Sequence, residues 1–126
     1  MEINGIITAM VTPFDQEQNL NLDAAFQLAD RLIDHGVHGL FLLGSNGEFH
    51  VLSDEEKIEF AKAVIRHVNK RVPVYVGTGA CGTLETIRMA KKMEEIGADA
   101  LSVITPYFIP PTQEELISHF RAIAES

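Results

Sequence analysis

The chain has one cysteine, Cys81, so no internal disulfide can form and the disulfide-stapled class of small secreted domains is excluded. Basic residues are also scarce. Ten Lys and Arg against eighteen Asp and Glu leave a formal net charge of -8, which repels nucleic acid and anionic lipid from the molecule as a whole but leaves room for a local anion site. No apolar run approaches the roughly 20 residues of a membrane span, and Met1-Glu2-Ile3-Asn4 lacks the basic and apolar regions of a signal peptide. A cytoplasmic protein with no nucleic-acid and no membrane partner is expected. Metal-site spacing is missing too, because His35, His38, His50, His67 and His119 form no i, i+4 pair and a lone cysteine forms no C-x-x-C.

What the chain does have is 46% apolar content over 126 residues, enough for one core and thus a single domain over 1–126. Continuous apolar runs at Ile6–Val11, Gly39–Leu43, Val74–Val76 and Ala100–Thr105 read as strands of a parallel sheet covered on both faces. Between and after them, steps of three and four residues place Leu22, Phe26, Ala29 and Ile33, then Ile58, Ala61, Ile65 and Val68, on one helical face each. Ile87, Ala90 and Met93 support a third helix from Leu84 to Ile96, and Leu116, Phe120 and Ile123 a fourth. Ser53 with Glu56 and Thr112 with Glu115 form capping boxes, while Gly36 and Gly97 follow the first and third helices. The junctions Gly36-Val37-His38-Gly39-Leu40 and Gly97-Ala98-Asp99-Ala100-Leu101 repeat one pattern, so the four βα units read as two duplicated pairs. Right-handed crossovers then allow an open doubly wound sheet or half of a (β/α)8 barrel. A complete barrel needs about 250 residues, and Ser126 falls inside the fourth helical pattern, which suggests a cut rather than a finished chain.

Gly44-Ser45-Asn46-Gly47-Glu48 lies where the second strand stops, and in α/β proteins ligands bind at carboxyl ends of strands. The two glycines let backbone approach a ligand, while a hydroxyl, a side-chain amide and N–H groups suit a small carboxylate or phosphate. The bland alternative is a turn, for which Asn-Gly is a standard pair. Gly77-Thr78-Gly79-Ala80-Cys81-Gly82 matches G-x-G-x-x-G after a strand, which keeps a dinucleotide-binding module open as a competitor; Asp99 has the spacing for the ribose acid but precedes its strand. Cys81, near a helix start, has no placed histidine partner and reads as a small turn residue. His50 reads as a surface loop residue. Tyr107, held beyond the fourth strand by Pro106, reads either as a site residue or as an aromatic ring packed over the barrel mouth.

Thr12-Pro13-Phe14, Gly44-Ser45-Asn46-Gly47-Glu48, Gly77-Thr78-Gly79 and Thr105-Pro106-Tyr107, each at a strand end and in this order, together resemble the dihydrodipicolinate synthase and N-acetylneuraminate lyase family. The resemblance covers the amino-terminal half of that family's TIM barrel. It implies condensation of pyruvate or another 2-keto acid with an aldehyde, or the reverse cleavage, through a lysine Schiff base and without a cofactor. It places Ser45 and Asn46 on the pyruvate carboxylate and in the proton relay, with Gly44 and Gly47 shaping the loop, Glu48 bracing it and Tyr107 as a further catalytic candidate. The Ser-Asn pair replaces the two threonines usual in the synthases and is more similar to the family's keto-acid aldolases. Phe108 stands where the synthases carry a second tyrosine that reaches a neighbouring subunit. The Schiff-base lysine belongs to the family's sixth strand and a catalytic tyrosine to its fifth, both beyond this sequence. Lys57, Lys62, Lys70, Lys91 and Lys92 all fall on helices or their ends among charged neighbours and read as solvated, so the isolated chain is expected to be inactive. A half-barrel also leaves open sheet edges, which predicts a homodimer or larger assembly and offers a further competitor, a non-catalytic self-associating module.

Overall fold

The structure, a computed structural model, describes residues 4–126. Four strands alternate with four helices in the order β1 (Ile7–Ala9), α1 (Leu22–Asp34), β2 (Gly39–Leu42), α2 (Asp54–Val68), β3 (Val74–Gly77), α3 (Thr83–Glu95), β4 (Ala100–Ser102) and α4 (Gln113–Ala124). All neighbouring strands pair in parallel, and the sheet order β1-β2-β3-β4 follows the chain. That is the topology of half a (β/α)8 barrel, in which each helix returns the chain to the next strand in line.

Local chemistry sets the helix limits. Both capping boxes form: the Glu56 N–H donates to Ser53 Oγ at 3.2 Å while Ser53 N–H donates to Glu56 Oε2 at 2.7 Å, and Thr112 and Glu115 exchange the same pair of bonds at 2.8 and 3.3 Å. α1 and α3 end alike, with Gly36 at φ 83° and Gly97 at φ 95°. Each glycine N–H bonds the carbonyl three residues back, and the next N–H reaches five residues back, Val37 to Leu32 and Ala98 to Met93. This Schellman arrangement satisfies helix carbonyls that would otherwise lack partners.

The strands are shorter than their apolar runs. Pairing in β1 stops at Ala9, although Met10 N–H still donates to Phe41 O at 2.9 Å. β2 stops because Leu43 adopts φ 57°, a left-handed conformation that no strand continues. β4 stops at Ser102, and Val103–Thr105 leaves the sheet. Leu40, Leu42, Val74 and Val76 turn outward and are buried against Ala25, Ala29, Phe60, Val64, Val68 and Met93. Each such aliphatic side chain contributes about 1.5 to 3 kcal/mol on burial. The alternate residues, including Phe41, Tyr75, Gly77 and Ser102, occupy the inner face. Among the described residues no helix is long and apolar enough to cross a membrane.

Candidate functional site

Beyond β2 the chain runs through Leu43 and Gly44 into a single 3-10 turn, Ser45–Gly47. Leu43 is buried at φ 57°, a conformation that stores strain beside the loop. The turn is held from below: Thr12, 3% exposed, donates its hydroxyl to Gly47 O at 2.7 Å. Glu48, exposed at the end of the turn with φ 54°, closes it by donating its N–H to Ser45 O at 3.1 Å.

Gly77 and Gly79 allow the neighbouring loops to close in. A Cβ on Gly77 would lie 2.2 Å from Leu43 O, and one on Gly79 would lie 2.5 Å from Ile104 Cγ2 and 2.7 Å from Ile104 N. These two glycines face other backbone, so the surfaces that a dinucleotide pyrophosphate would approach are already occupied. Asp99 is also committed elsewhere, accepting from Lys70 Nζ at 2.7 Å and Val74 N–H at 2.9 Å. The dinucleotide-binding alternative is not favoured.

What remains open above the strand ends is a cavity of about 230 Å³ lined by Phe41, Leu43, Gly44, Ser45, Phe49, Gly77, Gly79, Ser102 and Ile104. Ser45 and Gly44 therefore meet in one cavity. Asn46 is exposed on the same turn and Gly47 is buried beneath it, but neither lines the cavity. Tyr107 borders the cavity through Phe49, against whose ring it packs edge-on at 5.7 Å. Burial pushes the Tyr107 phenol above its ordinary range, with the neighbouring Cys81 thiol and the Glu85 carboxylate acting in the same direction, so the hydroxyl keeps its proton at neutral pH. Cys81 is more than a turn residue, since its thiol donates to Tyr107 O at 3.2 Å and ties the third loop to the fourth. Phe108 is 95% exposed with φ 75°.

The histidines hold structural places. His38 Nδ1 accepts from Ile6 N–H at 3.0 Å, His67 Nε2 meets Asp30 Oδ1 at 2.9 Å, and buried His119 bonds Thr83 Oγ1 through Nδ1 at 2.8 Å. His50 is exposed, edge-on to Phe49. Among the described residues no group of His, Cys, Asp and Glu could hold a metal ion. No lysine lines the cavity. Lys57 corrects one expectation: its side chain is only 18% exposed and lies 3.6 Å from Asp54 Oδ1, in a crevice that also contains Thr78 and Glu85.

Residues 2–126 match the dihydrodipicolinate synthetase family. The chain belongs to that family. It is 42% identical over 126 residues to 4-hydroxy-tetrahydrodipicolinate synthase 1 of Halalkalibacterium halodurans, covering 100% of this chain and 43% of that protein. The chloride-inhibited dihydrodipicolinate synthase of Acinetobacter baumannii, solved with pyruvate, superposes with a TM-score of 0.96 at 40% identity, over 98% of this chain and 43% of the other. YagE, a prophage protein of the same family from Escherichia coli K12 and likewise solved with pyruvate, gives a TM-score of 0.93 at 40% identity, over 96% and 41%. The chain thus spans less than half the length of the relatives it matches.

Proposed function

We propose that this half-barrel supplies the keto-acid-holding side of a pyruvate-dependent lyase or aldolase that works through a lysine imine. The observation that carries the reading is Ser45, an exposed residue that lines a cavity above the strand ends, on a turn braced by a buried hydrogen bond. A hydroxyl and an adjacent Asn46 amide on a braced turn suit a carboxylate, and two relatives of the same fold were solved with pyruvate. In this reading Ser45 and Asn46 hold the carboxylate, Gly44 and Gly47 shape the turn, and Tyr107 offers a protonated phenol to the relay. Asn46 orients substrate but cannot pass a proton as a hydroxyl can. An amine attacking the ketone releases water and forms an iminium, which acidifies the adjacent C–H; loss of that proton gives an enamine whose carbon adds to an aldehyde, and the new alkoxide takes up a proton. The cavity lining contains no lysine, so the amine comes from outside these 126 residues.

Borohydride reduction in the presence of pyruvate, followed by peptide mass measurement, tests this. The full-length protein carrying this half-barrel is expected to give a lysine adduct outside residues 1–126, and the isolated chain none. An adduct on Lys57, Lys62, Lys70, Lys91 or Lys92 with turnover overturns the assignment.

Self-association is a second reading, favoured by a different observation. β1 and β4 each pair on one side only among the described residues, and Ile6, Val11 and Ile104 near those edges are 65%, 48% and 42% exposed. Unpaired edges and bared apolar surface favour pairing, so the isolated chain is expected to form a homodimer or larger species in sedimentation at micromolar concentration. A cooperative, concentration-independent monomer would refute it.

A further inference from the structure

Ser102 ends β4 opposite Gly77 of β3. Register partners in a parallel pair face the same way, so its side chain shares the inner face with Phe41, Tyr75 and Gly77. Its outward neighbour Leu101 pairs with Val76, which is buried against the helices. Ser102 is half-buried, lines the same cavity as Ser45, and its hydroxyl has no hydrogen-bond partner among the described residues. The side chains around it, Phe41, Leu43, Phe49 and Ile104, are apolar, and Gly77 and Gly79 complete the lining. The half-buried hydroxyl is open to the cavity, and a ligand that fills the cavity must replace the hydrogen bond that water can give it. A few polar groups among apolar walls is also the ordinary make-up of a small-molecule pocket.

The two serines come from different elements, Ser45 from the loop after β2 and Ser102 from the end of β4, and line one cavity. We propose that Ser102 is a specificity-determining residue: with Ser45 on the keto-acid carboxylate, the Ser102 hydroxyl bonds an oxygen on the aldehyde-derived part, and the enzyme favours hydroxyaldehydes over plain aldehydes. This rests on the pyruvate reading above. A site that hydrogen-bonds a substrate hydroxyl rejects the analogue lacking it far more strongly than an apolar wall discriminates by size.

The test uses the full-length protein with pyruvate and either glycolaldehyde or acetaldehyde, which differ by one hydroxyl. Wild type is expected to favour glycolaldehyde in kcat/KM by about tenfold or more, and Ser102→Ala to remove most of that preference. Ser102→Ala should lower kcat/KM for glycolaldehyde more than for acetaldehyde, and Ser102→Thr, which keeps the hydroxyl, should retain the preference. Equal loss on both aldehydes, or no loss on either, overturns the proposal. Should Ser102→Ala fail to fold, the wild-type ratio decides alone, and equal use of the two aldehydes refutes it. Absence of any borohydride-trapped pyruvate adduct in wild type removes the pyruvate reading and this proposal together, whereas a trapped adduct without the hydroxyl preference removes only the role of Ser102.

Discussion

Replacing Thr12 by valine isolates the hydrogen bond on which the Ser45–Gly47 turn rests. The substitution keeps the branched shape and deletes the donor that meets Gly47 O at 2.7 Å. Thr12 is 3% exposed and Gly47 is buried, so water has no easy route to the orphaned carbonyl, and leaving such a group unpaired costs about 1 to 3 kcal/mol. With a urea dependence of about 1 to 3 kcal/mol per M for a small protein, the unfolding midpoint of the 126-residue chain should fall by roughly 1 M. The damage should also be local. Amide hydrogen exchange should speed up at Gly47 and Glu48, whose N–H groups close the turn onto Gly44 O and Ser45 O at 3.0 and 3.1 Å, while amides of β3 change only with global stability. Thr12→Ser, which keeps the hydroxyl, should recover most of the loss. An unchanged midpoint with unchanged exchange at Gly47 would show that Thr12 does not hold the loop.

Gly77→Ala should destabilise the chain by about 1 to 3 kcal/mol as overpacking does, because its Cβ would meet Leu43 O and C at 2.2 and 2.9 Å and backbone cannot rotate aside; an unaltered urea midpoint contradicts this. Asp99 predicts an acid-sensitive step. Burial works against its charge, but the Lys70 ammonium and the Val74 N–H outweigh that and hold the carboxyl below its ordinary range. A depressed folded value stabilises above the unfolded one, about 3.9, and that stability is lost as pH falls through the folded value. Stability should therefore drop from about pH 4 downward, and Asp99→Asn should flatten part of that drop. Parallel profiles for the two proteins would refute the role of Asp99.

Helix limits were legible because capping is written within four residues of sequence, as in Ser53 with Glu56. Strand ends were not, since each depends on a partner strand or on one backbone angle such as that of Leu43. Thr12 escaped for the same reason: its partner is 35 residues away, and nothing in Thr-Pro-Phe marks that hydroxyl as a brace. Ser102 read as one more residue of an apolar strand, and only the register against Gly77 turns it toward Ser45. Lys57 was readable and was missed. It precedes Phe60, Ala61, Val64 and Val68 by three, four, seven and eleven residues, and all four are buried, so it stands on the core stripe of α2 and its low exposure follows.

The repeated junction carries further than its glycines. Ile6 N–H donates to His38 Nδ1 and Val74 N–H to Asp99 Oδ2, at 3.0 and 2.9 Å, while His38 and Asp99 return their own N–H groups to Ile6 O and Val74 O at 2.7 and 2.9 Å. At the other end of the same strand pairs, Met10 N–H reaches Phe41 O and Thr78 N–H reaches Ser102 O, at 2.9 and 3.0 Å. An imidazole and a carboxylate do one job at equivalent places, because either offers an acceptor to the first N–H of the preceding strand. The two pairs part only beyond Phe41 and Ser102, where one chain turns through Leu43 and Gly44 to Ser45 and the other through Ile104 to Pro106. The amino ends are bound by an exchange of hydrogen bonds that any departure would break, while the carboxyl ends carry loops free to differ. That division is what lets one half of a barrel keep a fixed scaffold and still bring two unlike hydroxyls, Ser45 and Ser102, to a single cavity.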